Sequence, residues 1–114
     1  MVVQKLRKAY TPLEAAIAYF SILSVVNKLE LSPRELQLLA FTSLKGGKVT
    51  VGVRETFCEE FKTSKATINN LLSQLKRTGL FIKRKNMFLV NPSLVTDFSQ
   101  PLIVQVKLDL NEKA

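Results

Sequence analysis

Histidine is absent from this 114-residue chain, cysteine occurs once, and only nine acidic side chains stand against seventeen Lys and Arg. Without histidine the commonest general base and metal ligand is missing. Cys58 alone can neither close an intramolecular disulfide nor complete a zinc site. Nucleophile–base pairs are hard to assemble from what remains. Glu59 and Glu60 are adjacent and so leave a helix on different faces, and Glu55 with Glu59 reads as a solvated surface. Gly46-Gly47 lacks the spacing of a phosphate-cradling loop. An enzyme is therefore not expected, nor a cofactor or metal, and the lone cysteine suits a reducing intracellular setting.

A long hydrophobic run is missing too. The most apolar stretch, Ala15 to Val26, is broken by Ser21 and Ser24 and falls short of the ~20 residues that span a bilayer. Lys5, Arg7 and Lys8 precede it as in a signal peptide. However, Thr11-Pro12-Leu13-Glu14 intervenes and no small-residue cleavage site follows Val26 at a suitable distance. The expectation is a soluble, cytoplasmic protein with no membrane partner. What is present is enough apolar content, 46%, to fill one core, and a net charge of +8. Such a charge favours a polyanionic partner: nucleic acid, anionic lipid or an acidic protein face.

Thr11-Pro12-Leu13-Glu14 has capping-box spacing with Pro at the first helical position, which predicts a helix from Pro12 to about Lys28. It is apolar on several faces, Leu13, Ile17 and Phe20 in one row and Tyr19, Ile22, Leu23 and Val26 in others. Such a helix is either central to the core or shared with a second subunit. Ser32-Pro33-Arg34-Glu35 repeats the signature and opens a second helix through Leu44, stopped by Gly46-Gly47. Lys48-Val49-Thr50-Val51 reads as a short strand followed by a turn at Gly52. A short amphipathic helix is expected over 53–61. Another follows with Thr63 or Ser64 as N-cap, a stripe of Ile68, Leu71, Leu72 and Leu75, and Gly79 as a left-handed stop. Residues 80–83 and 87–90 read as paired strands around Arg84-Lys85-Asn86, a turn without glycine. Finally Leu102, Val104, Val106, Leu108 and Leu110 share one face of a period-two pattern, the clearest strand in the chain. An unpaired strand that apolar needs a partner, either residues 2–6 of the same chain or the edge of a neighbouring subunit.

In order, residues 31–94 run helix, short strand, helix, tight turn, helix, hairpin, and this resembles the winged helix-turn-helix family. Phe57-Cys58-Glu59-Glu60-Phe61 is similar to the motif's second helix, with Cys58 in its small packing position. Ser64-Lys65-Ala66-Thr67-Ile68 resembles the start of a recognition helix, and Leu75-Lys76-Arg77-Thr78-Gly79-Leu80-Phe81 its run into the wing. Lys62 departs from the Gly or Asn that many members carry in the turn. The fold class implied is α+β: a winged helix over 31–94, an N-terminal extension with an apolar helix over 1–30, and a C-terminal strand extension over 95–114.

Independently of the resemblance, burying Ile68, Leu71, Leu72 and Leu75 turns Ala66, Asn70, Ser73 and Arg77 outward at 100° per residue, with Thr67 and Asn69 on the shoulders. Those residues suit a groove-reading face. Ala66 permits close approach, Asn69 or Asn70 can pair with an adenine edge, and Lys65 and Thr67 can hold phosphates at the helix start near Ser64. From Lys62 to Asn86 there are seven basic residues, Lys62, Lys65, Lys76, Arg77, Lys83, Arg84 and Lys85, and no acidic one. The turn Arg84-Lys85-Asn86 then reaches along the backbone or into the minor groove. Duplex DNA is thus the expected partner, in a regulator or replication accessory.

Basic wings also occur on winged helices that bind proteins, because fold does not determine function. Residues 36–41 and 57–71 are also similar to small proteins of tailed phages and mobile elements, some regulators or replication factors and some virion building blocks. That resemblance implies the alternative of a ring, connector or shell component, in host cytoplasm or virion, touching other phage proteins. Either way the helix from Pro12 to Lys28 and the strand from Leu102 to Leu110 are expected to mediate self-association.

Overall fold

In the computed structural model, which describes residues 10–94, 97–107 and 109–110, Thr11 and Ser32 each start a helix by the same chemistry. The Thr11 hydroxyl accepts from the Glu14 N–H at 3.1 Å while the Glu14 carboxylate accepts from the Thr11 N–H at 3.1 Å. Ser32 and Glu35 repeat the exchange at 3.2 and 3.0 Å. These boxes open α1 (Pro12–Val26) and α2 (Pro33–Leu44). Among the described residues four helices and one antiparallel hairpin give an α+β fold, with α3 (Val51–Phe61), α4 (Lys65–Arg77), β1 (Phe81–Arg84) and β2 (Met87–Val90) following α2. Among the described residues no helix is long and apolar enough to cross a membrane.

α1 stops at Val26, short of Lys28, because the Asn27 side chain donates to the Leu23 carbonyl at 2.9 Å and Lys28 turns left-handed at φ 54°. It packs along α2. Its buried row is Ala16, Phe20 and Ser24, with small residues either side of one aromatic ring. The Ser24 hydroxyl accepts from the Leu31 N–H at 3.1 Å, which gives this buried polar atom its partner and ties the α1–α2 link down. Ile22, Val25 and Val26 stay exposed, so α1 is a core helix on one side and an open apolar face on the other.

The strand expected over 48–51 is a single bridge. Lys48 pairs with Leu89, Val49 donates to the Phe88 carbonyl at 3.0 Å, and Val90 donates to Gly47 at 2.8 Å. Thr50 then leaves the ladder, because its hydroxyl accepts from the Val53 N–H at 3.1 Å and caps α3 two residues earlier than predicted. Val51 and Gly52 therefore lie in the first helical turn, and no turn forms at Gly52. Ser64, not Thr63, caps α4, accepting from Thr67 at 3.1 Å. Gly79 follows at φ 81°, the left-handed conformation its position predicts.

β1 runs one residue later than predicted and pairs with β2 from Phe81↔Val90 to Arg84↔Met87. Lys85 at φ 50° and Asn86 at φ 62° form the two-residue turn of type I′, which matches strand twist. Asn91 fastens the hairpin to the end of α4, its side chain donating to the Gly79 carbonyl at 3.0 Å and its N–H to Leu80 at 2.8 Å.

One cluster joins all the elements. Ala16 and Phe20 from α1, Leu38, Leu39 and Phe41 from α2, Phe57 from α3, the α4 stripe, Phe81, Val90 and Phe98 are buried together. Phe57 and Phe61 stack at 4.6 Å and Phe41 meets both edge-on, at 5.7 and 5.8 Å. Phe98 closes the other side against Tyr19 and Phe20, with centroids 5.6 and 6.2 Å away. The loop carrying it is braced by Ser99, whose hydroxyl and N–H donate to Asp97 at 2.6 and 3.0 Å and hold that carboxyl below its usual range.

The C-terminal strand does not form. Residues 101–107 and 109–110 carry no sheet pairing, and Leu102, Ile103, Val104, Val106 and Leu110 are exposed. Period-two patterning selects a face, but a strand also needs a neighbour for its backbone groups, and no described strand pairs with this segment. The candidate neighbour at residues 2–6 lies outside the described residues.

Thr42 is fully buried in α2, and its hydroxyl finds no hydrogen-bond partner among the described residues. Such a group costs about 1–3 kcal/mol. Thr42→Val, nearly the same shape without the hydroxyl, is expected to raise stability by about 1 kcal/mol and the melting temperature by roughly 4–8 °C. A thermal melt that falls instead would show that the hydroxyl is satisfied.

Candidate nucleic-acid interface

α4 is positioned by its own stripe. Ile68, Leu71, Leu72 and Leu75 are all buried, so the remaining surface is fixed by helix geometry. Ala66, Asn70, Ser73 and Arg77 form the outermost line, and every one of them is exposed. Lys65 and Asn69 sit on the shoulder that meets α3, where they line a shallow cleft with Val51, Arg54 and Glu55. Thr67 lies on the other shoulder, its hydroxyl 2.9 Å from that of Ser64 at the helix start.

Lys62 occupies the turn between α3 and α4 in the left-handed conformation, φ 52° and ψ 51°, despite having a side chain that disfavours it. The sharp turn is held by the Thr63 N–H, which donates back to the Cys58 carbonyl at 3.1 Å. A glycine would meet this requirement without strain, so the position carries a charge at a conformational cost.

The hairpin supplies the second element. Arg84 ends β1, and Lys85 and Asn86 make the turn, all three exposed. Lys83 stands with its ammonium 5.2 Å from the centre of the Phe88 ring, a cation–π contact that steadies one basic side chain on the hairpin face. Among the described residues none of the seven cations from Lys62 to Lys85 takes part in an ion pair.

The predicted site residues thus fall into four groups, the first being Lys62 alone in the turn before α4. Ala66, Asn70, Ser73 and Arg77 share the outward line of α4, with Lys65 and Thr67 on its two shoulders and Ser64 as its N-cap. Lys83, Arg84, Lys85 and Asn86 share the hairpin and its tip. Asn69 is diverted toward α3, where its side-chain oxygen accepts from Arg54 Nη1 at 2.8 Å. Arg54 was not legible as a site residue from sequence, since its contact with Asn69 spans fifteen positions and depends on how α3 and α4 pack. Among the described residues no three His, Cys, Asp or Glu side chains are grouped so as to hold a metal ion. Set against known proteins, the chain matches no protein-family model, no curated protein and no solved structure.

Proposed function

We propose that residues 31–94 act as a winged helix that binds duplex nucleic acid, with α4 as the recognition helix and the β1–β2 hairpin as the wing. One observation carries this reading: seven basic side chains on α4, its preceding turn and the hairpin have no ion-pair partner among the described residues, and no acidic residue lies between them in the chain. Unpaired surface cations on a face of small and polar side chains suit phosphate contact beside a groove-reading helix. Under this reading the protein is a regulator or replication accessory that works in the cytoplasm. A titration of a fluorescent duplex at two salt concentrations tests it. Each phosphate contact contributes about 0.9 to the slope of log affinity against log salt, so several contacts give a steep line. No binding at low salt overturns the proposal.

A second reading, assembly of copies as in a virion component, is favoured by a different feature. The exposed face of α1 and the segment from Phe98 to Val104 enclose an apolar groove of about 610 Å³, lined by Tyr10, Ala15, Ala18, Ile22, Leu102 and Val104. A second copy is the occupant this reading requires. Pairing two of the period-two segments antiparallel can place Lys107 of one copy opposite Asp109 of the other, two opposite-charge pairs by symmetry. Lys107 and Asp109 lie on the same side of the segment, 3.4 Å apart and exposed. The expected solution mass is a multiple of 12.8 kDa, falling to the monomer on deletion of residues 104–114. Lys107→Asp and Asp109→Lys should each weaken the oligomer and together restore it. A monomeric full-length chain would remove this reading.

A further inference from the structure

Two adjacent asparagines are each capable of reading adenine, and the fold treats them differently. Reading adenine through the major groove takes a whole amide: its oxygen accepts from the base N6–H and its N–H donates to N7. Asn69 has its oxygen engaged by Arg54 at 2.8 Å. Guanidinium has donors only, so the atom facing it is necessarily the oxygen, and the orientation of the amide follows from chemistry. The bond is charge-assisted and spans two helices, so turning that amide outward means breaking it. One lone pair of that oxygen remains, but the amide cannot turn its oxygen and N–H edge to a base while the bond to Arg54 holds it. Asn70 lies 100° further round on the outermost line of α4, exposed, with no side-chain partner among the described residues. Its neighbours on that line, Ala66 and Ser73, are small enough to let a base edge come close.

We infer that Asn70 is the adenine-reading residue of the interface, and that Arg54 is a positioning residue that withholds the oxygen of Asn69 from the groove. This rests on the duplex-binding reading and adds which base is read and by which side chain. The Asn69 amide then keeps the orientation that Arg54 sets, with its N–H groups left to donate to a phosphate or to an acceptor on a neighbouring base. The arrangement limits the helix to one adenine contact where the sequence offers two.

Selection of bound sequences from a pool of randomised duplexes with the full chain, followed by competition with single-base variants of the best duplex, tests this. The expected result is one position with an adenine preference of about tenfold or more, lost in Asn70→Ala while the preferences at other positions persist. Asn69→Ala should leave that preference within about twofold. Arg54→Met, which keeps the stem and removes the donors, frees the Asn69 oxygen and should add or shift an adenine preference at an adjacent position; Arg54→Lys, which can still donate, should restore the original profile. A role for Arg54 in stability alone would not move the base profile. An adenine preference that survives Asn70→Ala, or disappears in Asn69→Ala, overturns the assignment. Duplex binding with no base preference overturns it while leaving the duplex-binding reading intact, and absence of duplex binding removes both.

Discussion

Arg84→Glu combined with Lys85→Glu is expected to lower the affinity for any duplex by at least about 60-fold near 0.1 M salt and to reduce the salt slope by roughly 2. Each phosphate contact releases counterions with a slope of about 0.9, worth roughly eightfold at that salt, so the loss of two contacts multiplies to this figure. Reversing the charges adds repulsion. The fold should not suffer: both side chains are exposed, and Glu at position 85 meets the same left-handed backbone that Lys already tolerates at φ 50°. A circular dichroism melt within a few degrees of the parent checks that point. Arg34→Glu with Lys28→Glu makes an equal change in net charge at two exposed sites outside the acid-free stretch, and is expected to cost less than about fivefold. If both double variants lose affinity equally, the duplex responds to total charge, and the hairpin is not a wing in the functional sense.

The parts of this fold that could be read from sequence are those decided within three or four residues. Both capping boxes are of that kind, since the hydroxyl, the carboxylate and the two N–H groups they join lie in one tetrapeptide. The outward line of α4 is another, because a buried stripe and a fixed rotation determine the opposite side. Thr50 shows where local reading becomes ambiguous. Its β-branched neighbours favour a strand and its hydroxyl favours a cap, and the cap prevails: Gly47 and Val49 make the bonds to the hairpin's edge, and Thr50 is left to α3. Lys62 gives no local sign of a left-handed turn. Its conformation follows from where α3 and α4 must meet, as does the contact between Arg54 and Asn69 that separates two otherwise equivalent asparagines. For residues 102–110 the alternation was legible, yet a strand is a property of two segments, and the second is not among the described ones.

Phe20→Ala is expected to have the largest effect on stability of any single substitution considered, about 3–5 kcal/mol. The ring is 0% exposed, 5.2 Å from Tyr19 and 6.2 Å from Phe98, and small residues, Ala16 and Ser24, flank it on its own helix. Truncation would leave a cavity that those neighbours cannot fill. A domain of this size has roughly 5–15 kcal/mol in total, so the variant should unfold at much lower urea concentration. The distribution of chromophores makes the result more informative than a single midpoint. Both tyrosines, Tyr10 and Tyr19, lie at or beside α1, and the chain has no tryptophan, so intrinsic fluorescence reports that helix while circular dichroism reports all four. Because Phe20 shares one buried cluster with Leu38, Phe57 and Leu72, the two signals should move together in the parent and in the variant, as a two-state unit requires. If the tyrosine transition shifts alone and the helical signal of α2 to α4 keeps its parent midpoint, α1 is an appendage packed against a domain that stands without it. In that case the open face of α1 would be free to exchange its place on α2 for a second copy, and assembly would compete with folding. Coincident transitions place α1 in the folding core and leave only its far side, with Ile22, Val25 and Val26, for any partner.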